Sequence, residues 1–120
     1  MSTTTTFDLD RFTRAAEERD ASTQLSMYGP GATVTIVDKV TQPGSPRVLR
    51  TREAIESWLR DTYGRDMTHA VQHTVADETG AAFTVACRYP DGTNVLCATV
   101  LELAAGLIAH QTVVQVWDEK

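Results

Sequence analysis

Residues 84–117 constrain the fold of this chain more than any other stretch, because they hold three apolar segments divided by two short loops. Each loop carries glycine in its third place, Pro90-Asp91-Gly92 and Ala104-Ala105-Gly106. That placement is typical of a three-residue hairpin loop, in which a residue with a left-handed backbone closes a type I turn. The stretch therefore predicts three consecutive antiparallel strands, around which the rest of the chain must fold.

The length of each loop sets the register of the strands. A three-residue loop pairs Val85 with Cys97 in the first hairpin and Thr99 with Gln111 in the second. Opposed residues share a face, so a slip of one residue would turn every side chain of a strand over. If the loop of the second hairpin instead has two or four residues, His110 rather than Gln111 lies on the inner side.

Both faces of the predicted sheet are apolar. One face carries Phe83, Val85, Cys87, Val95, Cys97, Thr99, Leu101, Ala109, Gln111, Val113, Gln115 and Trp117. The other carries Ala86, Leu96, Ala98, Val100, Ile108, His110, Thr112, Val114 and Val116. Neither face suits water, so helices of the same chain are expected to cover the first and a second copy of the chain the other, which predicts a homodimer.

Length and charge bound the class of protein. A chain of 120 residues is expected to form one domain, here residues 7–118, with a hydrophobic core that needs no disulfide or metal cross-links. A net charge of -5 provides no basic surface for nucleic acid, so nucleic-acid binding is not expected. No apolar run is long enough to cross a membrane, and residues 1–6, predicted to be a disordered tail, do not resemble a signal peptide. The expected location is the cytoplasm, with no membrane partner.

The two cysteines, Cys87 and Cys97, are predicted to lie diagonally on neighbouring strands. Diagonal neighbours have Cα atoms about 7 Å or more apart, which suits a disulfide poorly, and the cytosol is reducing. Two buried thiols are therefore expected.

The first part of the chain predicts two helices. Leu9, Phe12 and Ala16 recur at helical spacing within residues 7–19. Asp20 is a suitable N-cap for a second, shorter helix, which Gly29-Pro30-Gly31 must end because proline and glycine interrupt helices. Both helices are expected to pack on the inner face of the sheet.

The remaining elements alternate strand and helix. Residues 32–40 are rich in β-branched side chains and predict a strand that turns Asp38 to the same face as Ile36. After a short extended piece, Thr51 is expected to cap a third helix that ends at Gly64. Residues 69–78 predict a further strand with His73 on its inward side. The fold class is therefore α+β, with three helices preceding the last four strands.

Three segments resemble the SnoaL-like branch of the NTF2-like superfamily: Arg52-Glu53-Ala54-Ile55, Tyr89-Pro90-Asp91-Gly92 and residues 106–118. The resemblance implies a cone, in which a strongly curved antiparallel or mixed sheet wraps around three N-terminal helices and encloses a deep, mostly apolar pocket. It also implies dimers formed through the outer face of the sheet. Members of this superfamily include isomerases, cyclases, dehydratases, epoxide hydrolases and non-catalytic binders, so the resemblance leaves the activity open.

Residues known to act in the family match this sequence only in part. The oxyanion donors of ketosteroid isomerases, a tyrosine and a protonated aspartate, match Phe12 and Thr99, so that pair of donors is missing. Their base aspartate matches Ile36, although Asp38 lies two residues further on and faces the same way. The pocket histidine of relatives resembling scytalone dehydratase matches His73. The arginine between two aspartates that the epoxide hydrolases need is not found.

The candidate catalytic residues are Asp38 and His73. Burial on the inward face would raise the pKa of Asp38 towards the range of a general base; the alternative is a strand-end carboxylate that begins the turn to Thr41. His73 could shuttle a proton, or be a core histidine with a structural partner. His69 and His73 stand about 13 Å apart on a strand, too far for one ion, so no metal is expected. The predicted substrate-binding residues are Phe12, Tyr28, Trp58, Phe83, Cys97, Thr99, Gln111 and Trp117.

Three functions fit this sequence. The first is a cofactor-free isomerase, cyclase or dehydratase that moves a proton on a small, largely apolar organic molecule, with Asp38 as base and His73 and Gln111 polarising an oxygen. The second is a non-catalytic carrier that uses the same pocket. The third is a dimeric interaction module whose core leaves no cavity.

Overall fold

The computed structural model describes residues 6–119. Except for Thr6, the predicted tail lies outside the described residues. The elements are α1 (Leu9–Glu17), α2 (Ala21–Leu25), β1 (Tyr28–Val37), β2 (Arg47–Leu49), α3 (Arg52–Gly64), β3 (Thr68–Ala76), β4 (Gly80–Arg88), β5 (Asn94–Ala104) and β6 (Leu107–Trp117). The predicted α+β class and order of elements are confirmed.

Each helix begins at a polar cap. The side chains of Asp8, Asp20 and Thr51 accept hydrogen bonds from backbone N–H groups in the first turn of α1, α2 and α3. These bonds satisfy donors that have no partner inside the helix. The capped helices pack on the inner side of the sheet: α1 contacts β3, α3 contacts β1, and α2 lies against both helices.

The six strands form one sheet in the order β2-β1-β6-β5-β4-β3. All neighbours are antiparallel except β1 and β6, which run parallel. The register shifts between β1 and β6, between β3 and β4, and between β5 and β6. Because bulges bend strands and increase their twist, these irregularities are consistent with the strongly curved sheet that was predicted.

The second helix is shorter than predicted. It ends at Leu25, and β1 begins at Tyr28, so Gly29-Pro30-Gly31 lies inside the strand. The reason is tertiary pairing: Tyr28 lies beside Ile108 of β6, and the amide of Ile108 donates to Met27 O at 2.9 Å. Proline is tolerated because the ladder between β1 and β6 is interrupted at this point, where a missing N–H costs little.

The first hairpin has the predicted register. Val85 pairs with Cys97, and the amide of Tyr89 donates to Thr93 O at 3.0 Å. Gly92 occupies the left-handed region with φ 89°, as a three-residue loop requires.

The second hairpin differs from the prediction in two compensating ways. Its loop has two residues, since Ala104 pairs with Leu107, and both Ala105 and Gly106 have positive φ, as in a type I′ turn. A two-residue loop alone would have turned Gln111 outwards. Two pairs further on, however, β6 contains one surplus residue, Ala109, which restores the predicted face.

The surplus residue corrects three assignments. Thr99 pairs with Val113 and not, as predicted, with Gln111. Gln111 instead lies opposite Leu101. Ile108 is fully buried and Ala109 is exposed, the reverse of the prediction. Beyond the bulge the predicted faces hold, with Gln111 and Val113 buried and Val114 exposed.

The core fills the space between the helices and the inner face, and its largest fully buried side chains are Ile36, Ile55, Leu59, Leu101, Ile108 and Val34. The outer face keeps a set of exposed apolar side chains, Leu96, Val100, Val114 and Val116. We call this set the outer patch.

Candidate functional site

A cavity of about 130 Å³ lies between the helices and the inner face of the sheet. Cavities of about 150 Å³ hold benzene, so this one has room for a single small ring. Its walls combine aromatic and aliphatic side chains with several polar groups. The residues that line it include Phe12, Asp38, Trp58, Tyr63, His69, Phe83, Cys87, Cys97, Thr99, Gln111 and Trp117.

The cavity brings together most of the residues that the sequence placed there. Phe12, Trp58, Phe83, Cys97, Thr99, Gln111 and Trp117 all line it. Tyr28 does not: it is buried on β1 behind Gln111. The functional meaning of these positions remains a proposal, developed below.

Behind the cavity wall runs a chain of four hydrogen-bonded side chains. The Tyr63 hydroxyl donates to Gln24 Oε1, and Gln24 Nε2 donates to the Tyr28 hydroxyl at 3.4 Å. The Tyr28 hydroxyl in turn donates to Gln111 Oε1. Because each group donates in the same direction, the chain ends on the Gln111 amide NH₂, which is left to serve the cavity. We call this chain the relay.

Neither phenol in the relay ionises at ordinary pH, so each hydroxyl keeps the proton that it donates. Burial raises the pKa of Tyr28 and, more strongly, that of Tyr63. Beside the last member of the relay, the Thr99 hydroxyl makes no hydrogen bond within residues 6–119. Gln111 and Thr99 thus present two uncharged polar groups to a ligand oxygen.

Asp38 both begins the turn that follows β1 and lines the cavity. It follows the end of β1, and its Oδ1 accepts from Val40 N at 2.9 Å and from the Thr41 hydroxyl at 3.2 Å, which forms the turn. It also lines the cavity and is half-buried. Within the described residues Oδ2 makes no hydrogen bond, so one carboxylate oxygen is available to a ligand.

His73 does not reach the cavity, contrary to the prediction. Between Gln72 and Val75 the pairing with β4 shifts by one residue, and His73 adopts φ 57° at this bulge. A regular strand would have placed His73 opposite Phe83 on the inner face; the bulge instead leaves it exposed.

The histidine that lines the cavity is His69, which the sequence analysis considered only as a metal ligand. It is 9% exposed, and it pairs directly with Cys87 of β4. Its Nδ1 lies 3.3 Å from Cys87 Sγ, and its ring stands at 86° to the ring of Tyr63 with centroids 5.2 Å apart. The predicted inward side of this strand was Val71, His73 and Val75, and alternation extended back by two residues would have added position 69.

Cys87 and Cys97 are buried free thiols, in agreement with the prediction. Each lies opposite a valine, so the two are diagonal neighbours. A hydrogen bond from Cys97, together with a hydrogen bond and the charge of His69, lowers the pKa of Cys87 to about 5 against the opposing effect of burial. The interaction with Cys87 and burial raise the pKa of Cys97.

The mouth of the cavity is aromatic and charged. Trp117 stacks on Tyr89 with centroids 5.9 Å apart, and Lys39 Nζ lies 4.2 Å from the centre of the Trp117 ring. Arg65 donates to the Tyr89 hydroxyl at 3.1 Å and to Asp61 Oδ2 at 2.8 Å. These contacts hold the aromatic side chains over the entrance.

Two features are absent from residues 6–119. No three His, Cys, Asp or Glu side chains there have an arrangement that could hold a metal ion. No helix of that part is long and apolar enough to span a membrane.

The curved sheet with helices on its inner face is shared with solved NTF2-like structures. A candidate ketosteroid isomerase from Kribbella flavida is 17% identical over 92% of this chain and 75% of its own, with a TM-score of 0.72. SalBIII, an epoxide hydrolase/cyclase-like enzyme of pyran ring formation in salinomycin, is 20% identical over 90% of this chain and 87% of its own, with a TM-score of 0.68. An NTF2-like protein of unknown function from Mesorhizobium loti reaches a TM-score of 0.75 at 15% identity, over 90% of this chain and 87% of its own.

The fold therefore defines an NTF2-like protein. A sequence model of the SnoaL-like domain matches residues 9–111, and the chain belongs to that family. The resemblance found in the sequence is confirmed. No curated protein matches the chain significantly.

Proposed function

We propose that this protein binds a small, largely apolar organic molecule and catalyses a cofactor-free proton transfer on it, of the kind used in isomerisation, cyclisation or dehydration. The observation that carries the proposal is the relay, which delivers one amide NH₂, from Gln111, to a cavity of about 130 Å³ with a partly aromatic wall. This donor makes no hydrogen bond within the described residues, so a ligand that supplies an acceptor oxygen would give it a partner.

The roles follow from the chemistry of the wall. Gln111 and Thr99 would hold a carbonyl or hydroxyl oxygen, while Phe12 and Phe83, whose ring centroids are 5.4 Å apart, pack against the hydrocarbon. Asp38 would take the proton through Oδ2. The similar structures support the class of reaction, since they include a candidate ketosteroid isomerase and an epoxide hydrolase/cyclase-like enzyme. No protein group beyond these is required.

Hydrogen exchange tests this proposal without knowledge of the natural substrate. Cyclohexanone, a single-ring ketone, is incubated with the protein in D₂O, and loss of its α-proton signals is followed by NMR. We expect the wild type to bind it and to accelerate exchange. Asp38→Asn should retain binding and lower the exchange rate by a factor on the order of 10² or more, since a positioned base contributes about 10² to 10⁴.

Asp61→Asn is the matched control, because Asp61 also lines the cavity but pairs with Arg65 at the mouth. Its exchange rate is expected to stay within about threefold of wild type, the scale of a weak surface ion pair. Equal rates for wild type and Asp38→Asn would remove Asp38 from the mechanism.

The carrier remains the second candidate, because Asp38 Oδ1 is already engaged by the turn to Thr41. A carrier would bind the ketone without accelerating exchange. Gln111→Leu distinguishes the cavity from nonspecific binding: it should weaken binding in either case, since it removes the donor at the end of the relay.

We also propose that the outer patch pairs with a second copy of the chain. An apolar surface formed by Leu96, Val100, Val114 and Val116 on one sheet face is costly in water, and the family resemblance implies dimers through that face. Light scattering at micromolar concentration should give twice the chain mass for wild type. Val114→Lys should give the single chain mass, whereas Val40→Lys, at a loop position that is 81% exposed, should remain dimeric. A monomeric wild type would refute the pairing.

A further inference from the structure

Three side chains with titratable sulfur or nitrogen atoms converge on one part of the cavity wall. His69, Cys87 and Cys97 come from β3, β4 and β5, and all three line the cavity. The register explains their meeting: His69 is directly opposite Cys87, and Cys97 is two residues from Val95, the partner of Cys87. We call these three residues the thiol cluster.

The contacts within the cluster are not equivalent. The Cys87 sulfur lies 3.3 Å from His69 Nδ1, within reach of proton exchange, whereas no hydrogen bond among the described residues joins Cys97 to the imidazole. The other ring nitrogen, His69 Nε2, is buried and makes no hydrogen bond within the described residues. The imidazole is therefore committed to Cys87, which distinguishes one thiol as the nucleophile and the other as its neighbour.

The proton transfer proposed above does not use the thiol cluster. Its oxygen-binding groups are Gln111 and Thr99 and its base is Asp38, none of which belongs to the cluster. A buried thiol next to an imidazole is the pairing by which proteins activate cysteine, since the thiolate is the reactive form. Here the pair is enclosed with room for one small ring.

We propose that Cys87 is a nucleophilic site that the cavity presents to a small apolar α,β-unsaturated carbonyl compound, which it captures by conjugate addition. The contact between Cys87 Sγ and His69 Nδ1 and the aromatic cavity wall beside it carry this inference. It does not depend on turnover by Asp38, so it can stand or fall separately from the function proposed above.

The addition balances with the groups that are present. The Cys87 thiol passes its proton to His69 Nδ1, and the sulfur lone pair forms a C–S bond to the β-carbon of the enone. The electrons of the C=C bond move towards the carbonyl to give an enolate, and the proton on His69 is delivered to the α-carbon. A thioether with an intact carbonyl remains, the imidazole is neutral again, and no oxidant or reductant is consumed.

The groups that face Cys87 come from every neighbouring element. They are His69 on β3, Cys97 on β5 and Tyr63 on α3, whose ring lies against His69 and stays neutral because burial raises its pKa. At the mouth, Asp61 and Arg65 pair with each other. The pH dependence of the reaction should thus report Cys87 together with Cys97 and His69.

The test uses cyclohex-2-enone as the probe, with intact-mass and peptide-mapping mass spectrometry. We expect wild type to gain one reagent mass at Cys87 and to react at pH 6 at least tenfold faster than glutathione, because a free thiol loses about tenfold in thiolate per pH unit below its pKa of about 8.5. Between pH 6 and pH 8 the wild-type rate should rise less steeply than the glutathione rate, since the lowered pKa of Cys87 increases its thiolate fraction at the acidic end.

Variants assign the roles. Cys87→Ala should not be modified, and Cys97→Ala, which removes a thiol from the same wall, should still be modified at Cys87. His69→Gln should fold and react at Cys87 at least tenfold more slowly at pH 6, with a rate that rises more steeply with pH than that of wild type. The unfolded wild type in urea should react at both cysteines, which checks that each can be detected.

Two results would overturn the proposal. One is modification of native Cys97 in preference to Cys87. The other is a native Cys87 that reacts no faster at pH 6 than glutathione, including one that does not react at all. Circular dichroism of each variant, compared with wild type, ensures that a lost reaction is attributed to the thiol only when the variant is folded.

Discussion

Ile108→Asp is expected to abolish folding, whereas Ala109→Asp, at the next position, is expected to leave the protein folded. Ile108 is 0% exposed and packs in the core, while Ala109 is the surplus residue of a bulge and points to solvent. Burying an unpaired carboxylate without its apolar contacts costs more than about 4 kcal/mol, a large part of the 5–15 kcal/mol by which domains are stable. Ala109→Asp should cost roughly 1 kcal/mol or less, the scale of strand propensities.

Urea denaturation followed by circular dichroism compares the two variants directly. The loop composition alone favours a three-residue turn, and in that register Ala109 would be buried and Ile108 exposed. The reverse order of stabilities would therefore show that the hairpin closes as the sequence predicted and not with the bulge. His110 supplies an independent check, because in the bulged register it lies beside β1, with Nδ1 2.6 Å from the Thr33 hydroxyl.

Ile36→Ala is expected to destabilise the protein by about 2–5 kcal/mol, the usual cost of truncating a buried isoleucine. Ile36 is 1% exposed and lies on β1, where it is paired with Val113 of β6 on one side and Arg47 of β2 on the other. Truncation removes several buried methyl and methylene groups and leaves a cavity that the close-packed core fills only in part. The midpoint of urea denaturation should fall while the slope of the transition is unchanged.

Val40→Ala is the matched control, because it removes a smaller apolar side chain that is 81% exposed in the loop after β1. Its free energy of unfolding should stay within about 0.5 kcal/mol of wild type. An equally small effect at Ile36 would mean that β1 does not pack against the helices as described. The result also bears on function, because the resemblance aligns Ile36 with the base aspartate of ketosteroid isomerases.

The resemblance implies that this protein differs from ketosteroid isomerases at these positions, with the core residue Ile36 in place of their base and with Phe12 and Thr99 in place of their two oxyanion donors. The polar groups in its cavity are instead Gln111, supported by the relay, Asp38 at the end of β1, and the thiol cluster. One fold thus supports a different set of chemical groups, which is why the family alone does not assign an activity.

The elements themselves were determined by local sequence. Helix caps at Asp20 and Thr51 and the loop closed by Gly92 act within a few residues of each other, so their effects can be read from neighbouring positions. The apolar alternation of β4 and β5 likewise predicted which side chains face inwards. These local signals were sufficient for the fold class, the order of elements and most of the cavity wall.

Tertiary structure decided the identity of several site residues, and it did so through irregular pairing. The bulge at Ala109 brings Gln111 inwards despite a two-residue turn, and the bulge at His73 turns that histidine away from the cavity. Pairing with β6 draws Tyr28 out of the predicted helix and behind Gln111.

The physical reason lies in the two-residue period of a strand. One surplus residue moves every side chain beyond it to the opposite face of the strand. Whether a strand can accommodate a surplus residue depends on how the curved sheet closes over its helices. That closure is a property of contacts between distant segments, such as β1 with β6, and no local pattern encodes it. The sequence by itself therefore determined the elements and the apolar faces of this protein, and only the tertiary structure decided which polar side chains meet in its cavity.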